Sequence, residues 1–209
     1  QSEILGLADE IRSKGGFVSM RRMADGTESP YELNSTYFSA LSDPENEDMG
    51  MARFQCSQAV ALSMKGIPAV YFHSLCGTPN DLEGYRETKR NRTVNRKKWD
   101  QEELNQLIDN QDTLPARIFS WYSRTLRMRA GCPAFHPEAP QEILQFGPEV
   151  FALRRDSSDG GLSVICLYNF RLEESGVSDM SLLKKVFPDG IARDLISGGE
   201  IDWSKDGEL

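Results

Sequence analysis

The stretch from Gly66 to Arg96 constrains this chain most. It opens with Gly66-Ile67-Pro68-Ala69-Val70-Tyr71-Phe72-His73. An apolar run of this length, introduced by glycine and proline and closed by a polar segment, predicts a fully buried strand over Ile67 to Phe72. The polar segment holds Asn80-Asp81 and then Asn91-Arg92-Thr93-Val94-Asn95-Arg96 before it ends near Lys98. That is too long for a plain connector, and long loops in compact proteins are functional or disordered. Buried parallel strands of α/β enzymes keep their sites in the loops at their C-terminal ends. An α/β fold with a site-bearing loop over 73–98 is therefore expected.

The flanks agree with that expectation. Asp43-Pro44-Glu45 has the form of an N-cap followed by proline at the first helical position. Met51, Phe54, Ala59 and Leu62 carry an apolar spacing on to Met64. Helix, short loop and strand make the half-unit of a barrel or a doubly wound sheet. Upstream, Ile4, Leu7, Ala8 and Ile11 predict a helix over Ile4 to Ser13, which Gly15-Gly16 ends. Phe17 to Arg21 is a strand candidate, Asp25-Gly26 a turn, and Ser29-Pro30 an extended restart. Tyr31 to Leu41 is expected to be irregular, with a helical turn near its end. Downstream, Asp100 opens a short helix through Ile108, and Leu114 to Met128 forms another, with Arg124, Arg127 and Arg129 suiting its C-terminal end.

From Pro133 the texture changes. Short alternating runs cover Ile143 to Phe146, Val150 to Arg155 and Leu162 to Asn169, with a hairpin signal at Asp159-Gly160. Leu182 to Phe187 and Ile191 to Ile196 are further strand candidates. The expected boundaries are 1–132 for the α/β part and 133–209 for a small antiparallel β domain. So small a β domain needs support from what precedes it.

Composition narrows the function. The 209 residues carry a formal net charge of −8, which disfavours nucleic acid or an anionic membrane surface as the main partner. Basic residues cluster at Lys89-Arg90-Asn91-Arg92 and Arg96-Lys97-Lys98, as either a solvated face or a site for an anion or sugar. Four cysteines, Cys56, Cys76, Cys132 and Cys166, form no C-x-x-C pair and suggest no zinc site. No apolar run approaches the roughly 20 residues of a spanning helix. A reducing, cytoplasmic compartment is expected, with no cofactor and no metal. The chain begins at Gln1 in sequence that reads as mid-helix, and a piece of a longer protein is expected.

Three strings stand in order: Tyr31-Glu32-Leu33-Asn34-Ser35-Thr36-Tyr37-Phe38-Ser39-Ala40-Leu41, the segment Gly66 to Phe72, and Asn91-Arg92-Thr93-Val94-Asn95-Arg96. Together they resemble the sucrose-phosphorylase subfamily of the α-amylase clan of glycoside hydrolases. The resemblance implies the C-terminal part of a TIM (β/α)8 barrel followed by a small antiparallel β domain. It makes 44–64 the seventh barrel helix, 67–72 the eighth strand, 73–98 the loop over the site and 114–130 the eighth helix. The implied chemistry is retaining glucosyl transfer. An aspartate attacks the anomeric carbon, a glutamate protonates the leaving oxygen, and phosphate resolves the intermediate. By the same resemblance these carboxylates, and an aspartate that holds the sugar, belong to earlier strands. No catalytic residue is therefore assigned to this chain, and Asp81, Glu83 and Glu87 are not promoted to those roles.

The resemblance implies substrate-binding positions instead. Arg92 matches an arginine placed on the hydroxyls of bound glucose, a geometry suited to a guanidinium fork; the alternative is a surface arginine in a basic run. Asp81 is either a loop contact to the substrate or turn chemistry, and Asn80 leans to the turn. Asn95 is expected to bond loop backbone. Tyr31-Glu32 departs from the Tyr-Gln of sucrose phosphorylases. An ionised glutamate only accepts hydrogen bonds and repels phosphate unless cations offset it. Residues 26–34 look closer to phosphorylases of glucosylglycerate, which puts a glucosylglycerate-type substrate ahead of sucrose. His73, at the end of the expected strand, is either a ligand contact or a hydrogen-bonded wall residue; His136 and Trp121-Tyr122 are read as structural. The expected partners are a small α-glucoside and inorganic phosphate, and the piece alone is expected to be inactive. Two other functions remain open, an amylase-clan hydrolase or transglycosylase and a non-catalytic carbohydrate-binding module.

Overall fold

The computed structural model describes residues 2–171 and 181–202. The chain forms two compact units, each drawn from two stretches. One comprises Gln1–Ser57 with Ala69–Ser123, the other Gln58–Pro68 with Arg124–Leu209. The boundary expected at residue 132 falls inside the second unit.

In the first unit, α1 (Ser2–Ser13) ends as its sequence predicts. The N–H of Gly16 bonds the Ile11 carbonyl at 2.9 Å and that of Gly15 the Arg12 carbonyl at 3.0 Å, with Gly15 at φ +75°, the left-handed conformation this helix stop requires. Then β1 (Phe17–Arg22) and β2 (Glu28–Asn34) pair as an antiparallel hairpin. The Met23 N–H to Thr27 carbonyl bond closes the turn at 2.8 Å around Asp25-Gly26. The strand continues where irregular chain was expected over Tyr31 to Asn34. Its register shifts between Ser19 and Met20, which face Glu32 and Pro30, leaving Tyr31 as the extra residue. Pro30 has no N–H for the ladder, and a bulge beside it absorbs the mismatch.

The expected helical turn follows as α2 (Tyr37–Leu41), capped by Thr36, whose Oγ1 accepts from Ser39 N. α3 (Glu47–Ser63) starts later than Asp43-Pro44 predicts. Asp43 spends its carboxylate on the Glu45 N–H and an ion pair with Arg53, and the cap falls to Asn46, whose Oδ1 accepts from Met49 N at 3.0 Å.

The buried strand expected over Ile67 to Phe72 is absent. Residues 67–71 pair with no strand among the described residues, and Phe72 opens the short α4 (Phe72–Leu75). Ile67 is 85% exposed, Tyr71 56% and Phe72 48%. A parallel strand takes its hydrogen bonds from neighbours on both sides, and the described sheets are all antiparallel. Without those neighbours an apolar run has neither ladder nor cover. The long loop after it is folded, holding α5 (Leu82–Thr88) and a single 3-10 turn at Asn91–Thr93. α6 (Gln101–Asp109) is capped as predicted by Asp100, which accepts from the N–H groups of Glu102 and Glu103. α7 (Leu114–Gly131) completes the set. The core of this unit runs through the rings of Phe38, Phe54 and Tyr122, with centroids 5.6 and 6.4 Å apart, beside Ile118 and Val94.

The second unit takes the last turns of α3 and of α7. After a 3-10 turn at Pro133–Phe135 come β3 (Gln141–Gln145), β4 (Val150–Asp156) and β5 (Ser163–Asn169), an antiparallel sheet in that order. Leu182 to Phe187, expected as a strand, is largely helical in α8 (Ser181–Val186). β6 (Ile191–Arg193) pairs with β7 (Glu200–Asp202). The stretches 172–180 and 203–209 of the expected β domain lie outside the described residues.

Two buried arginines close the C-terminal end of α3. Arg155 donates to the carbonyls of Ser63 (2.8 Å), His136 (2.9 Å), Pro140 (3.2 Å) and Ala139 (3.4 Å). Arg129 donates to Leu62 (2.6 Å) and Gly66 (2.8 Å). Both lie over the Phe135 ring. The last carbonyls of a helix lack internal partners and carry partial negative charge, so cationic forks suit them. Burial pulls both guanidiniums below their ordinary pKa.

Candidate functional site

Of the five residues predicted to bind substrate, the first unit brings two together. Glu32 stands on β2 beside the bulge, and Arg92 in the 3-10 turn after α5. Arg92 Nε lies 3.2 Å from Glu32 Oε2. The guanidinium is largely exposed and the carboxylate about one-third exposed. The contact joins two of the three strings that set this chain apart and offsets the charge that made Glu32 unfavourable toward an anion.

The other three stand apart from that pair. Tyr31 is 64% exposed, and its ring centroid is 6.0 Å from the Arg21 guanidinium carbon. Asp81 caps α5, its Oδ1 accepting from Gly84 N at 2.9 Å, while its own N–H bonds the Val94 carbonyl at 2.8 Å. These bonds tie the start of α5 to the 93–94 backbone and fix the turn that carries Arg92. His73, in α4, is buried, with Nδ1 3.2 Å from Thr78 Oγ1.

Neighbours outside the predicted substrate-binding set hold this region in place. Asn80 Oδ1 accepts from Thr36 N (2.7 Å) and Ser35 Oγ (3.2 Å), and its Nδ2 donates to the Lys14 carbonyl (3.3 Å). Its side chain therefore ties residues 35–36 and Lys14 to the loop, where turn chemistry was expected. Trp99 Nε1 donates to Thr78 Oγ1 at 3.0 Å, and Lys97 Nζ sits 3.6 Å from the Trp99 ring centroid. A tryptophan directly after a basic run was the available signal. Asn95, expected to bond loop backbone, keeps its Oδ1 buried without a partner.

The second unit contains a cavity of about 640 Å³. Leu162, Ile165, Leu183, Phe187 and Ile196 line it, with the Cys166 thiol, pushed up to about 11 by burial. None of the predicted substrate-binding residues reaches it, and its walls are mostly apolar. Among the described residues no cluster of His, Cys, Asp and Glu could hold a metal ion, and no helix is long and apolar enough to cross a membrane.

No family model matches the chain. Individual proteins do. The glucosylglycerate phosphorylase of Allomeiothermus silvanus is 41% identical over 170 residues, covering 80% of this chain and 30% of that protein. That of Spirochaeta thermophila is 36% identical over 194 residues, 92% of this chain and 33% of its own length. That of Escherichia coli is 35% identical over 161 residues, 77% of this chain and 29% of its own. The chain thus spans about a third of the length of the curated relatives it matches. Among solved structures, sucrose 6F-phosphate phosphorylase from Thermoanaerobacter thermosaccharolyticum superposes with a TM-score of 0.62 at 20% identity, over 82% of this chain and 35% of that one, a likeness of fold. The resemblance carried by the three strings therefore holds across most of the chain, which is a relative of the glucosylglycerate and sucrose phosphorylases of the α-amylase clan.

Proposed function

We propose that this chain is part of a retaining phosphorylase that moves glucose from a small α-glucoside to inorganic phosphate, giving glucose 1-phosphate. The observation that carries this is its identity of 35–41% to three glucosylglycerate phosphorylases. Residues 1–132 are the last part of a (β/α)8 barrel and 133–209 the C-terminal β domain. The exposed apolar residues Ile67, Tyr71 and Phe72 support that assignment, since none of them pairs with a strand among the described residues. The enzyme works in the cytoplasm, in keeping with four cysteines that form no disulfide.

In this proposal Arg92 binds the glucosyl hydroxyls, and Tyr31 and Glu32 face the leaving group or phosphate. Asp81 and His73 complete the substrate-binding set. Neither Asp81 nor Glu32 is given the nucleophile or proton-donor role. Asp81 is engaged by the Gly84 N–H and Glu32 by Arg92, and both reacting carboxylates lie on polypeptide that precedes this region. Glucosylglycerate is the preferred donor class, because an Arg-paired Glu32 replaces the amide of sucrose phosphorylases.

The test has two arms. The 209-residue chain alone gives no turnover. A polypeptide holding this chain after a complete barrel portion releases glucose 1-phosphate from glucosylglycerate only when phosphate is present, and faster than from sucrose. There Arg92→Ala lowers kcat/KM by about 2 kcal/mol or more in transition-state free energy. Turnover without phosphate would instead mark a hydrolase or transglycosylase. Turnover by the chain alone would overturn the placement of the reacting groups.

A further inference from the structure

His73 is held by a hydrogen-bond arrangement whose proton count has one solution. His73 is 8% exposed, and its ring meets the rings of Tyr71 and Phe72 edge-on, at 5.1 and 5.6 Å. The Thr78 side chain is fully buried, and the Thr78 N–H bonds the His73 carbonyl at 2.8 Å. Thr78 Oγ1 lies 3.0 Å from Trp99 Nε1 and 3.2 Å from His73 Nδ1. An indole nitrogen only donates, so Oγ1 accepts from Trp99. The hydroxyl has one proton, and among the described residues Nδ1 is its sole acceptor. Were Nδ1 protonated instead, the Thr78 hydroxyl would be a buried donor without a partner, which native structures avoid. Nδ1 is therefore an acceptor and the ring proton sits on Nε2. Nε2 bonds no described residue, and among the described residues the side-chain atoms buried without a partner are Asn34 Oδ1 and Asn95 Oδ1, not His73 Nε2. The part of the ring that stays accessible thus includes Nε2.

We propose that Thr78 and Trp99 are positioning residues that hold His73 as a neutral Nε2–H donor for a hydroxyl oxygen of the bound α-glucoside. This deepens the function proposed above and rests on it for the ligand, but the proton position stands without it. Burial lowers the His73 pKa, which keeps the ring uncharged. The charged groups near the arrangement are Lys97, over the Trp99 ring, and Glu103, 3.5 Å from Lys97 Nζ. No described carboxylate bonds His73, so nothing pairs an imidazolium there. A neutral donor suits a sugar hydroxyl, whereas a phosphate dianion would call for a cation.

The chain has only two histidines, so histidine ¹⁵N NMR reads the proton directly. In the ¹⁵N-labelled 209-residue chain, with His136→Gln used for assignment, neutral His73 shows a protonated Nε2 and an unprotonated Nδ1, and the neutral form predominates at pH about 6.5, where a free imidazole is half charged. Thr78→Ser preserves the pattern, and Thr78→Val shifts it toward a tautomer mixture and moves the Trp99 indole N–H resonance. A proton on Nδ1, a cationic ring at that pH, or no change in Thr78→Val overturns the proposal. If Thr78→Val does not fold, the parent spectrum and Thr78→Ser decide. In the polypeptide with its complete barrel portion, glucosylglycerate shifts the Nε2 resonance of His73. An unchanged resonance alongside phosphate-dependent turnover removes the ligand role of His73 and leaves the phosphorylase function intact.

Discussion

Arg92 on the turn after α5 and Glu32 on β2 meet with Nε 3.2 Å from Oε2, sixty residues apart in the chain. Pairs this open to water contribute about 0.2–1 kcal/mol, because solvent and salt screen them and two long side chains must be fixed. A double-mutant cycle of Arg92→Ala and Glu32→Gln in urea unfolding is expected to give a coupling of about 0.5 kcal/mol, smaller still in high salt. The loss expected in phosphorolysis for Arg92→Ala is several times larger, and that contrast separates a binding role from a stabilising one. A coupling of several kcal/mol would make the pair structural.

Arg155 is the opposite case. Its guanidinium is fully buried and serves four backbone carbonyls. Arg155→Met leaves these acceptors buried and unpaired, and is expected to destabilise the chain by about 3 kcal/mol or more. Arg155→Lys recovers only part of this, since one ammonium cannot match the fork. Urea midpoints of the two variants check the order.

Gly77 has φ +57°, and a Cβ there would run into the Ile118 side chain. Gly77→Ala thus combines left-handed strain, about 1–2 kcal/mol, with overpacking of similar size. A loss of about 2–4 kcal/mol is expected. Ile118→Val in the same chain relieves the overpacking alone, so the two substitutions are non-additive by about 1 kcal/mol. Additive thermal shifts would show that the helix has moved aside.

Burial raises the Cys166 thiol from its ordinary 9.0 to about 11, against smaller opposing effects of a Tyr168 hydrogen bond and Arg155. The folded state therefore holds a proton that the unfolded state gives up first. This contribution is fully present below pH 9 and is lost as pH rises through about 11. Cys166→Ala is expected to flatten the alkaline fall in stability, measured as denaturation midpoint between those pH values. An unchanged alkaline slope would assign the effect to other groups.

What could be read from the sequence depended on how local each signal was. Asp100, Gly15 and Asp25-Gly26 act within a few residues, and the cap, the helix stop and the hairpin all fall where the sequence puts them. Asp43-Pro44 misled by three residues because Asp43 found two other partners and left the cap to Asn46. Six residues around Leu183 cannot distinguish strand from helix by periodicity, and there the helix prevails. Ile67 to Phe72 failed for a non-local reason, since an apolar run becomes a strand only where other strands offer it hydrogen bonds. The pairing partners Arg92 and Glu32 stand in two of the strings that carry the resemblance. The link from Trp99 through Thr78 to His73 could not be read, because it depends on contacts that only folding creates.

The bond from Arg155 to Ser63 spans 92 positions of sequence. A ribosome delivers Ser63 long before Arg155, so the end of α3 must wait with its carbonyls in water while the rest of the first unit, Ala69–Ser123, is still being synthesised. Closing so long a loop is entropically slow, and contacts of high sequence separation lengthen folding times. The second unit is therefore a late product of translation, and a nascent chain arrested before residue 155 would leave that helix end frayed however complete the rest had become.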